Sequence, residues 1–284
     1  MKRMITNTMM LLAFASVLAS CQKMERPALG DYISDENQPL LEGPLRFYVN
    51  FDGTDGVTPK WNVYDSISSN PALNFPSSVN LVPGIQGQAL QGADNAAVLY
   101  LNANDFKKAT SFSIAFWMKR EVNDRTEFFF SLKDETYDWI KSSITMLMEH
   151  STETDATVKL VLMDQWLEFA GDNKLKRPLF DGNWHHFAMA YDEATSRMTY
   201  YVDGLPVSEA PDAATLVKKD GNPRGKLDLS KSDNLVIGGA NKNASLPGPT
   251  DGWLNSFLGD MDQFRMYNKA LSAAEVKDLF DKKL

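Results

Sequence analysis

The sequence feature that most constrains the fold is the stretch Asn183–Val207, which reads NWHHFAMAYDEATSRMTYYVDGLPV. From Trp184 to Tyr191, two sets of side chains alternate along the chain, which is the period of two that a strand with two different faces requires. The stretch later reaches Asp203-Gly204, the dipeptide that best fits the positive φ angles of a tight hairpin turn. It therefore predicts two strands joined by a short polar turn, followed by a second hairpin.

Short strands of the same kind are predicted along the rest of the chain from residue 45 onward. Clear examples are Leu45–Phe51 (LRFYVNF), Phe112–Lys119 (FSIAFWMK) and Gly259–Tyr267 (GDMDQFRMY). Many short strands with turn residues between them favour a double-sheet sandwich. All-β sandwiches often reach this length as one unit, so residues 45–284 are predicted to form a single domain.

One helix is predicted near the C-terminus, where Ser272 and Glu275 have the spacing of a capping box. In this motif the serine oxygen accepts a hydrogen bond from the Glu275 amide, and the glutamate reaches back to the serine amide. Leu271 precedes the cap and is expected to pack on Val276. The apolar stripe of the helix is expected to lie on the sandwich.

These motifs, in this order, resemble those of the laminin-G-like family of concanavalin A-type jelly rolls. The matching strings are SFSIAFWMK, the W-x-H-x-A signature in WHHFA, GDMDQFRMY, and R-x-Y-N-x-A-L-S. The resemblance implies an all-β, concanavalin A-like jelly-roll β-sandwich of two antiparallel sheets with a short C-terminal helix. It also implies that Trp117 and Trp184 are core residues and that His186 is a buried, hydrogen-bonded structural residue.

The N-terminus has the pattern of an export signal. Lys2 and Arg3 precede the apolar run Met9–Leu18, which is too short to span a bilayer. Small residues and then Cys21 follow, a pattern that resembles a bacterial lipobox. The resemblance implies that residues 1–20 are a lipoprotein signal peptide and that the Cys21 thiol is lipidated after cleavage.

Cys21 is the only cysteine of the chain, so it has no partner for an internal disulfide. A lipid anchor would account for a single thiol in an exported protein. Residues 21–44 are polar and rich in Pro and Gly, which predicts a lipidated tether. Gln22 stands where many inner-membrane lipoproteins have aspartate, which favours the outer membrane. The domain is expected at the cell surface, with the periplasmic side as the open alternative.

Charge and acidic motifs bear on the class of function. Lys and Arg number 29 against 37 Asp and Glu, for a net charge of −8, which disfavours nucleic acid as a partner. Family-16 glycoside hydrolases on this sandwich carry the pattern E-x-D-x-x-E on one strand, and the sequence lacks it. Acidic residues such as Glu127 and Glu135 are therefore interpreted as surface charge without a role in activity. No catalytic residue is predicted, and the chain is not expected to be an enzyme.

Two positions are candidates for binding a metal ion. Asp52 and Asp262 resemble the positions from which members of this superfamily hold a structural calcium ion. Calcium takes six to eight oxygen ligands, so turn carbonyls would have to complete the set. One structural Ca²⁺ is therefore expected, with the alternative that Asp52 serves the Asp-Gly turn and Asp262 is a hydrogen-bonded strand residue. His185 and His186 are adjacent on a strand and point to opposite faces, so they are not expected to share a metal ion.

Aromatic residues outside the core motifs are the candidates for ligand binding. Sugar rings present C–H faces that stack on aromatic planes, with amides nearby for hydrogen bonds. Tryptophans in or beside predicted loops are Trp61, Trp139, Trp166 and Trp253. The predicted glycan-binding set comprises Trp61, Tyr64, Tyr137, Trp139, Trp253 and Asn255. The alternative is that these side chains close the edges of the sandwich.

The function predicted from these features is non-catalytic binding of a poly- or oligosaccharide by a lipid-anchored cell-envelope protein of a glycan-uptake type of assembly. The alternative is a protein–protein adhesion or scaffold module of the outer membrane, with another envelope protein as partner. A divergent glycoside hydrolase is less favoured. A wet groove with stacked aromatics would favour sugar, whereas a broad, flat apolar patch would favour protein.

The lipobox makes a direct prediction about Cys21. Replacement Cys21→Ala should leave an uncut or soluble protein, because the thiol that would carry the diacylglyceryl group is gone. Metabolic labelling with a palmitate analogue, followed by membrane fractionation, measures this against the parent protein. Labelling that persists in the variant would contradict a lipid anchor at this position.

Overall fold

The fold consists of two stacked β-sheets in the computed structural model, which describes residues 43–53, 63–137 and 139–284. In chain order the strands are β1 (Leu45–Val49), β2 (Asn80–Pro83), β3 (Gln88–Gln91), β4 (Val98–Tyr100), β5 (Phe112–Glu121), β6 (Glu127–Lys133), β7 (Ser142–Glu149), β8 (Thr157–Leu162), β9 (Gln165–Phe169), β10 (Asp181–Asp192), β11 (Arg197–Val202), β12 (Leu205–Pro206), β13 (Lys218–Lys219), β14 (Asn222–Pro223), β15 (Leu235–Ile237), β16 (Asn255–Ser256) and β17 (Asp260–Tyr267). The α-helices are α1 (Asp212–Thr215) and α2 (Ala273–Asp281), and 3-10 turns lie at Asn104–Lys108, Gly171–Asn173 and Asn241–Ala244.

The strands form two mainly antiparallel sheets. The first sheet has the order β12-β11-β10-β5-β17-β3-β2, and β1 also pairs with β17. The second sheet has the order β4-β15-β6-β7-β8-β9, and β16 pairs with β6 in parallel. Strands β13 and β14 form a separate hairpin. The predicted all-β sandwich of two antiparallel sheets is confirmed.

The core lies between the sheets and is built from alternate residues of the long strands. On β10, Phe187, Met189 and Tyr191 are fully buried, as the alternation of the sequence predicts. Phe116 of β5 lies at the centre of the core and stacks on Phe264 of β17 with ring centroids 5.9 Å apart. Rings of the second sheet also contact Phe116, so aromatic side chains join the two sheets.

Helix α2 begins and packs as the capping box predicts. Ser272 Oγ accepts a hydrogen bond from Glu275 N at 3.3 Å, and Ser272 N donates to the Glu275 carboxylate at 2.9 Å. Leu271 and Val276 are buried in one apolar cluster on the outer face of the first sheet. Phe280, on the same helix, stacks on Trp117 with ring centroids 5.5 Å apart.

The two tryptophans expected in the core differ from each other. Trp117 is 3 % exposed, but it lies under α2 on the outer face of the first sheet rather than between the sheets. Trp184 is only half-buried, so the expectation that it is a core residue is wrong. Its position in β10 alternates with the core residues, and it pairs with Lys119 near the end of β5. The strand pattern therefore places it on the outer face.

The adjacent histidines occupy opposite environments. His186 is fully buried beneath Trp117 and Phe280, which confirms its burial. The expectation that it is hydrogen-bonded is wrong, because neither ring nitrogen has a partner among the described residues. This burial, with Arg265 nearby, lowers the pKa of His186 to about 4.

His185, by contrast, is held between two carboxylates. Its Nδ1 lies 2.9 Å from Oδ2 of Asp203, and its Nε2 lies 3.0 Å from Oδ1 of Asp181. Burial by itself lowers the pKa of His185, but the hydrogen bonds with both aspartates outweigh it and raise the pKa above its ordinary value. The two side chains therefore serve different structural purposes, as opposite faces of a strand allow.

The predicted signal peptide, Cys21 and the tether up to residue 42 lie outside the described residues, so these assignments stay predictions. Strand β1 begins at Leu45, and the carbonyl of Pro44 accepts a hydrogen bond from Asn268 N at 3.0 Å. Among the helices that the structure describes, none has the length and apolar composition needed to cross a membrane.

The environment of His186 predicts how stability depends on pH. Its pKa is about 4 in the folded domain and 6.5 in the unfolded chain. The unfolded chain therefore binds a proton first, and stability falls as the pH drops from about 7 to about 4. The loss from this group should be on the order of 3 kcal/mol. His185 has the opposite sign, because its raised pKa gives stability that is present below pH 6.5 and lost as the pH rises.

Denaturant unfolding of His186→Phe at several pH values measures this effect. The aromatic replacement fills the same site without titrating, so the loss of stability on acidification should shrink relative to the parent. His150→Gln is the matched control, because the His150 side chain is 61 % exposed. The prediction would be contradicted if the parent and His186→Phe lost the same free energy of unfolding on acidification.

Candidate functional site

Three exposed tryptophans meet on the outer face of the second sheet. Trp139 and Trp253 are stacked with ring centroids 5.6 Å apart and planes 15° apart, and Trp166 lies 5.9 Å from Trp139. The exposed fractions are 44 % for Trp139, 38 % for Trp166 and 41 % for Trp253. These three residues, the indole cluster, form a contiguous aromatic surface that the core does not require.

The indole cluster rests on an apolar layer formed by the strands. Alternate residues of β6, β7 and β8 that face away from the core place Phe128, Leu147 and Val161 in this layer, where all three are buried. Trp166 of β9 pairs with Val161 and extends the row to the edge strand of the sheet. Trp253 packs on Phe128 with ring centroids 5.9 Å apart.

The loop between β6 and β7 presents Trp139. Asp134 is buried at the start of this loop, and its carboxylate accepts hydrogen bonds from the amide, at 2.9 Å, and the hydroxyl of Thr136. Asp134 N donates to Lys141 O at 2.9 Å, and Lys141 N donates to Tyr137 O at 3.0 Å. The loop is therefore closed by hydrogen bonds on both sides of Trp139.

The segment between β15 and β16 presents Trp253. Leu254, the next residue, is buried in the apolar layer. Asn255 pairs with Glu127 in β6, and its side-chain amide donates to Thr126 O and Trp253 O, both at 3.1 Å. The parallel pairing of β16 with β6 fixes the point at which this segment returns to the sheet.

Charged groups beside the indole cluster are paired with each other. Lys159 of β8 contacts Glu149 of β7 at 2.6 Å and lies opposite Glu168 in the pairing with β9. Glu168 is two residues from Trp166 and therefore shares its face. Burial would raise the pKa of Glu149, but hydrogen bonds from Lys159 and Thr126 outweigh it and hold the pKa below its ordinary value.

The structure brings together only part of the predicted binding set. Trp139 and Trp253 are neighbours in the indole cluster. Tyr137 is half-buried and packs against the main core, where burial raises the pKa of its hydroxyl. Tyr64 is 38 % exposed, but it adjoins Asp65, which accepts a hydrogen bond from Tyr48 N of β1 in the first sheet, away from the cluster.

Asn255 lies next to the cluster with its amide engaged by the backbone, and Trp61 lies outside the described residues. Trp166, which the predicted set omits, completes the cluster. The sequence could have indicated this position. Leu167 and Phe169 point into the core, so strand alternation places Trp166 on the outer face of β9.

Of the two glutamates interpreted as surface charge, Glu127 is not at the surface. Glu127 is fully buried, and both of its carboxylate oxygens accept from Arg120, at 2.8 and 3.1 Å. The expectation that Glu127 is a surface acid is therefore wrong. Removing one partner of a buried, bidentate ion pair leaves an uncompensated charge, so substitutions of Glu127 are expected to affect folding.

The predicted calcium ligands meet at the turn between β2 and β3. Asp52 accepts a hydrogen bond from Gln88 N at 2.6 Å, and Asp262 accepts from Ile85 N at 2.9 Å. Gly84 and Gly87 allow this approach, since a Cβ would lie 2.4 Å from the Asp262 carboxylate at the first position and 1.9 Å from that of Asp52 at the second. The hydrogen-bonded roles of both aspartates are thus present, although Asp52 serves this turn rather than its own Asp-Gly turn.

The Asp262 carboxylate also has a free oxygen. Its Oδ1 is buried and has no hydrogen-bond partner within the described part of the chain. Burial raises the pKa of Asp262 to about 7, with a further contribution from Asp52, while turn amides oppose the shift. Among the described residues, no group of three or more His, Cys, Asp or Glu could hold a metal ion. Asp52 and Asp262 are the carboxylates that would hold a cation here, and carbonyl oxygens would have to complete the six to eight ligands that calcium takes.

The two-sheet architecture is consistent with a concanavalin A-like sandwich. A sequence model described as the concanavalin A-like lectin/glucanases superfamily, Laminin_G_3, matches residues 92–277. The chain therefore belongs to this family. No curated protein sequence matches it.

Several solved structures share the fold. Domain 4 of AbnA, a GH43 extracellular arabinanase from Geobacillus stearothermophilus in complex with arabinotriose, is similar with 16 % identity and a TM-score of 0.53, over 83 % of this chain and 98 % of that one. The binding domain of botulinum neurotoxin DC in complex with SialylT is similar with 12 % identity and a TM-score of 0.54, over 86 % of this chain and 53 % of that one.

A structure of botulinum neurotoxin type C is similar with 14 % identity and a TM-score of 0.53. Cell entry of that toxin depends on interaction with two ganglioside molecules. The match covers 85 % of this chain and 51 % of that one, so this chain spans about half the length of the neurotoxin chains. At these identities the likeness shows the fold alone.

Proposed function

We propose that this protein binds carbohydrate on the indole cluster and does not cleave it. The observation that carries the proposal is the contact of three indoles, each about two-fifths exposed, on an ordered outer sheet face. Each ring leaves on the order of 100 Å² of apolar surface in water, and covering it would contribute about 2 kcal/mol. Sugar rings offer the C–H faces that such indoles bind. The arabinotriose of the arabinanase domain supports a saccharide ligand for this fold.

The charges beside the cluster favour a neutral glycan. Lys159 lies between Glu149 and Glu168, so it is compensated and its surroundings are net acidic. An anionic polysaccharide that covers Trp166 would meet these carboxylates. Glu149 is also unsuited to act as a general acid, because a general acid needs a raised pKa and that of Glu149 is lowered.

Binding measurements on tryptophan variants test the proposal. Trp139→Ala and Trp253→Ala should each lose about 1–2 kcal/mol of glycan binding, because each removes part of the stacking surface. Calorimetric titration of the domain from Leu45 onward against a polysaccharide panel measures this. The panel should include a neutral cellulose ether and its carboxymethyl counterpart, and the neutral polymer should bind more tightly.

Trp184→Ala is the matched control, since Trp184 is a half-buried tryptophan on the outer face of the other sheet. It should leave the affinity unchanged. No heat with any glycan, together with capture of one envelope protein in pull-downs, would support the scaffold alternative instead. Release of reducing ends would support a glycoside hydrolase.

We also propose that the domain acts at the cell envelope, anchored in the outer membrane through Cys21, as part of a glycan-uptake type of assembly. The support is the lipobox pattern and the Pro- and Gly-rich segment that separates Cys21 from β1. A tether of about twenty residues would give the domain a reach of roughly 25 Å from the membrane. An anchored binding domain would hold polysaccharide close to the cell.

A structural calcium ion at Asp52 and Asp262 is a further part of the proposal. Calcium should raise the melting temperature by about 5 °C or more at saturation, because it binds the folded domain only. The effect should be larger at pH 8 than at pH 5, because Asp262, with a pKa of about 7, is charged only at the higher pH.

Thermal unfolding with calcium and with EDTA measures this effect in parent and variants. Asp262→Asn should abolish it. Asp260→Asn is the control, because Asp260 lies on the same strand and its side chain bonds Gln91 instead. Equal melting temperatures with calcium and with EDTA at pH 8 would show that the two aspartates only brace the turn.

A further inference from the structure

The two stacked rings of the indole cluster come from segments far apart in the sequence. Trp139 lies in the loop between β6 and β7, and Trp253 lies in the segment between β15 and β16. Their rings nevertheless lie 5.6 Å apart and nearly parallel. Indole contact alone contributes only about 1 kcal/mol, which does not order two loops. Another interaction must fix the loops relative to each other.

The side chain of Asn241 makes that connection. It is 2 % exposed, and its Oδ1 accepts a hydrogen bond from Ser131 Oγ of β6 at 3.0 Å. Its Nδ2 donates to Lys141 O, at the end of the Trp139 loop, at 2.8 Å. The same nitrogen donates to Pro247 O, in the segment that leads to Trp253, at 3.2 Å. One amide therefore joins the sheet and both loops.

The surroundings of Asn241 leave it little freedom. The Ser131 hydroxyl is itself bonded to Ser142 at 2.6 Å and to Thr145 at 2.9 Å, so the amide ends a buried polar network on the outer sheet face. The chain passes close beside it at Gly248, where a Cβ would lie 3.2 Å from that of Asn241. A buried amide with its donors and acceptor satisfied holds one geometry, since any other leaves polar groups unpaired.

We propose that Asn241 is the positioning residue of the indole cluster, which holds Trp139 and Trp253 stacked before any ligand binds. Its effect on glycan binding rests on the proposed function, but its effect on the stacking does not. Loops that are fixed beforehand lose less conformational entropy on binding, so the affinity depends on this amide although it does not contact the ligand.

Circular dichroism of the indole bands measures the stacking directly. Two stacked indoles couple and give a paired positive and negative band. The difference between parent and Trp253→Ala isolates it, because Trp139→Ala would also remove the contact with Trp166. Asn241→Asp keeps the size of the side chain but replaces the donating nitrogen with an oxygen that faces two carbonyls. It should remove most of the coupled signal and weaken glycan binding roughly five- to tenfold, while the domain still unfolds cooperatively.

Asn243→Ala is the matched control, because Asn243 is a neighbouring buried amide whose oxygen accepts from Ala240 N within its own turn. It should leave the coupled signal in place. Should Asn241→Asp not fold, Ser131→Ala removes one bond of the same amide, and a smaller loss of signal is expected. The proposal would be overturned if whichever of these two variants folds keeps the coupled signal at the level of the parent. If the Asn241 variant loses the coupled signal but the parent protein binds no glycan, the positioning role of Asn241 is supported and only the proposed glycan binding is rejected.

Discussion

The packing of aromatic side chains between the two sheets is the interaction on which the rest of the domain depends. Phe116 contacts Phe187 and Phe264 in its own sheet and Phe129 and Phe130 in the other. Once these rings fill the inner layer, strand alternation sends the intervening residues outward. Each sheet therefore has an outer face with large apolar side chains, and different elements cover these side chains on the two faces.

The two outer faces differ in what covers them, and this difference is why one of them is the candidate for binding. On the first sheet, α2 covers Trp117 and His186, and both side chains are buried. On the second sheet, loops cover Phe128 and Val161 but add indoles of their own, which stay exposed. Exposed apolar surface of this kind is the reason why we propose a binding role for this face.

Sequence alone was informative where local pattern determines structure. The alternation in β10, the Asp203-Gly204 turn and the capping box at Ser272 all depend on near neighbours in the chain, and the structure agrees with them. The wrong predictions concern side chains whose burial depends on elements that are distant in the sequence. The half-burial of Trp184 and the burial of Glu127 depend on which elements cover a strand end, and no local pattern specifies that. Trp139 and Trp253 were predicted as exposed loop aromatics, but their meeting with Trp166 follows from how distant loops fold over the sheet.

The position of β17 in the first sheet has a consequence for how the protein folds. This strand follows all the other strands in the chain, yet it lies between β5 and β3 and also pairs with β1. The first sheet therefore cannot close until a segment more than two hundred residues from β1 has been made, as the pairing of Leu45 with Tyr267 requires. Pairing at such separation has a high loop-closure entropy and slows folding. During synthesis the edge of β5 that pairs with β17 would stay unpaired until the last strand has been made, so the core could be completed only at the end.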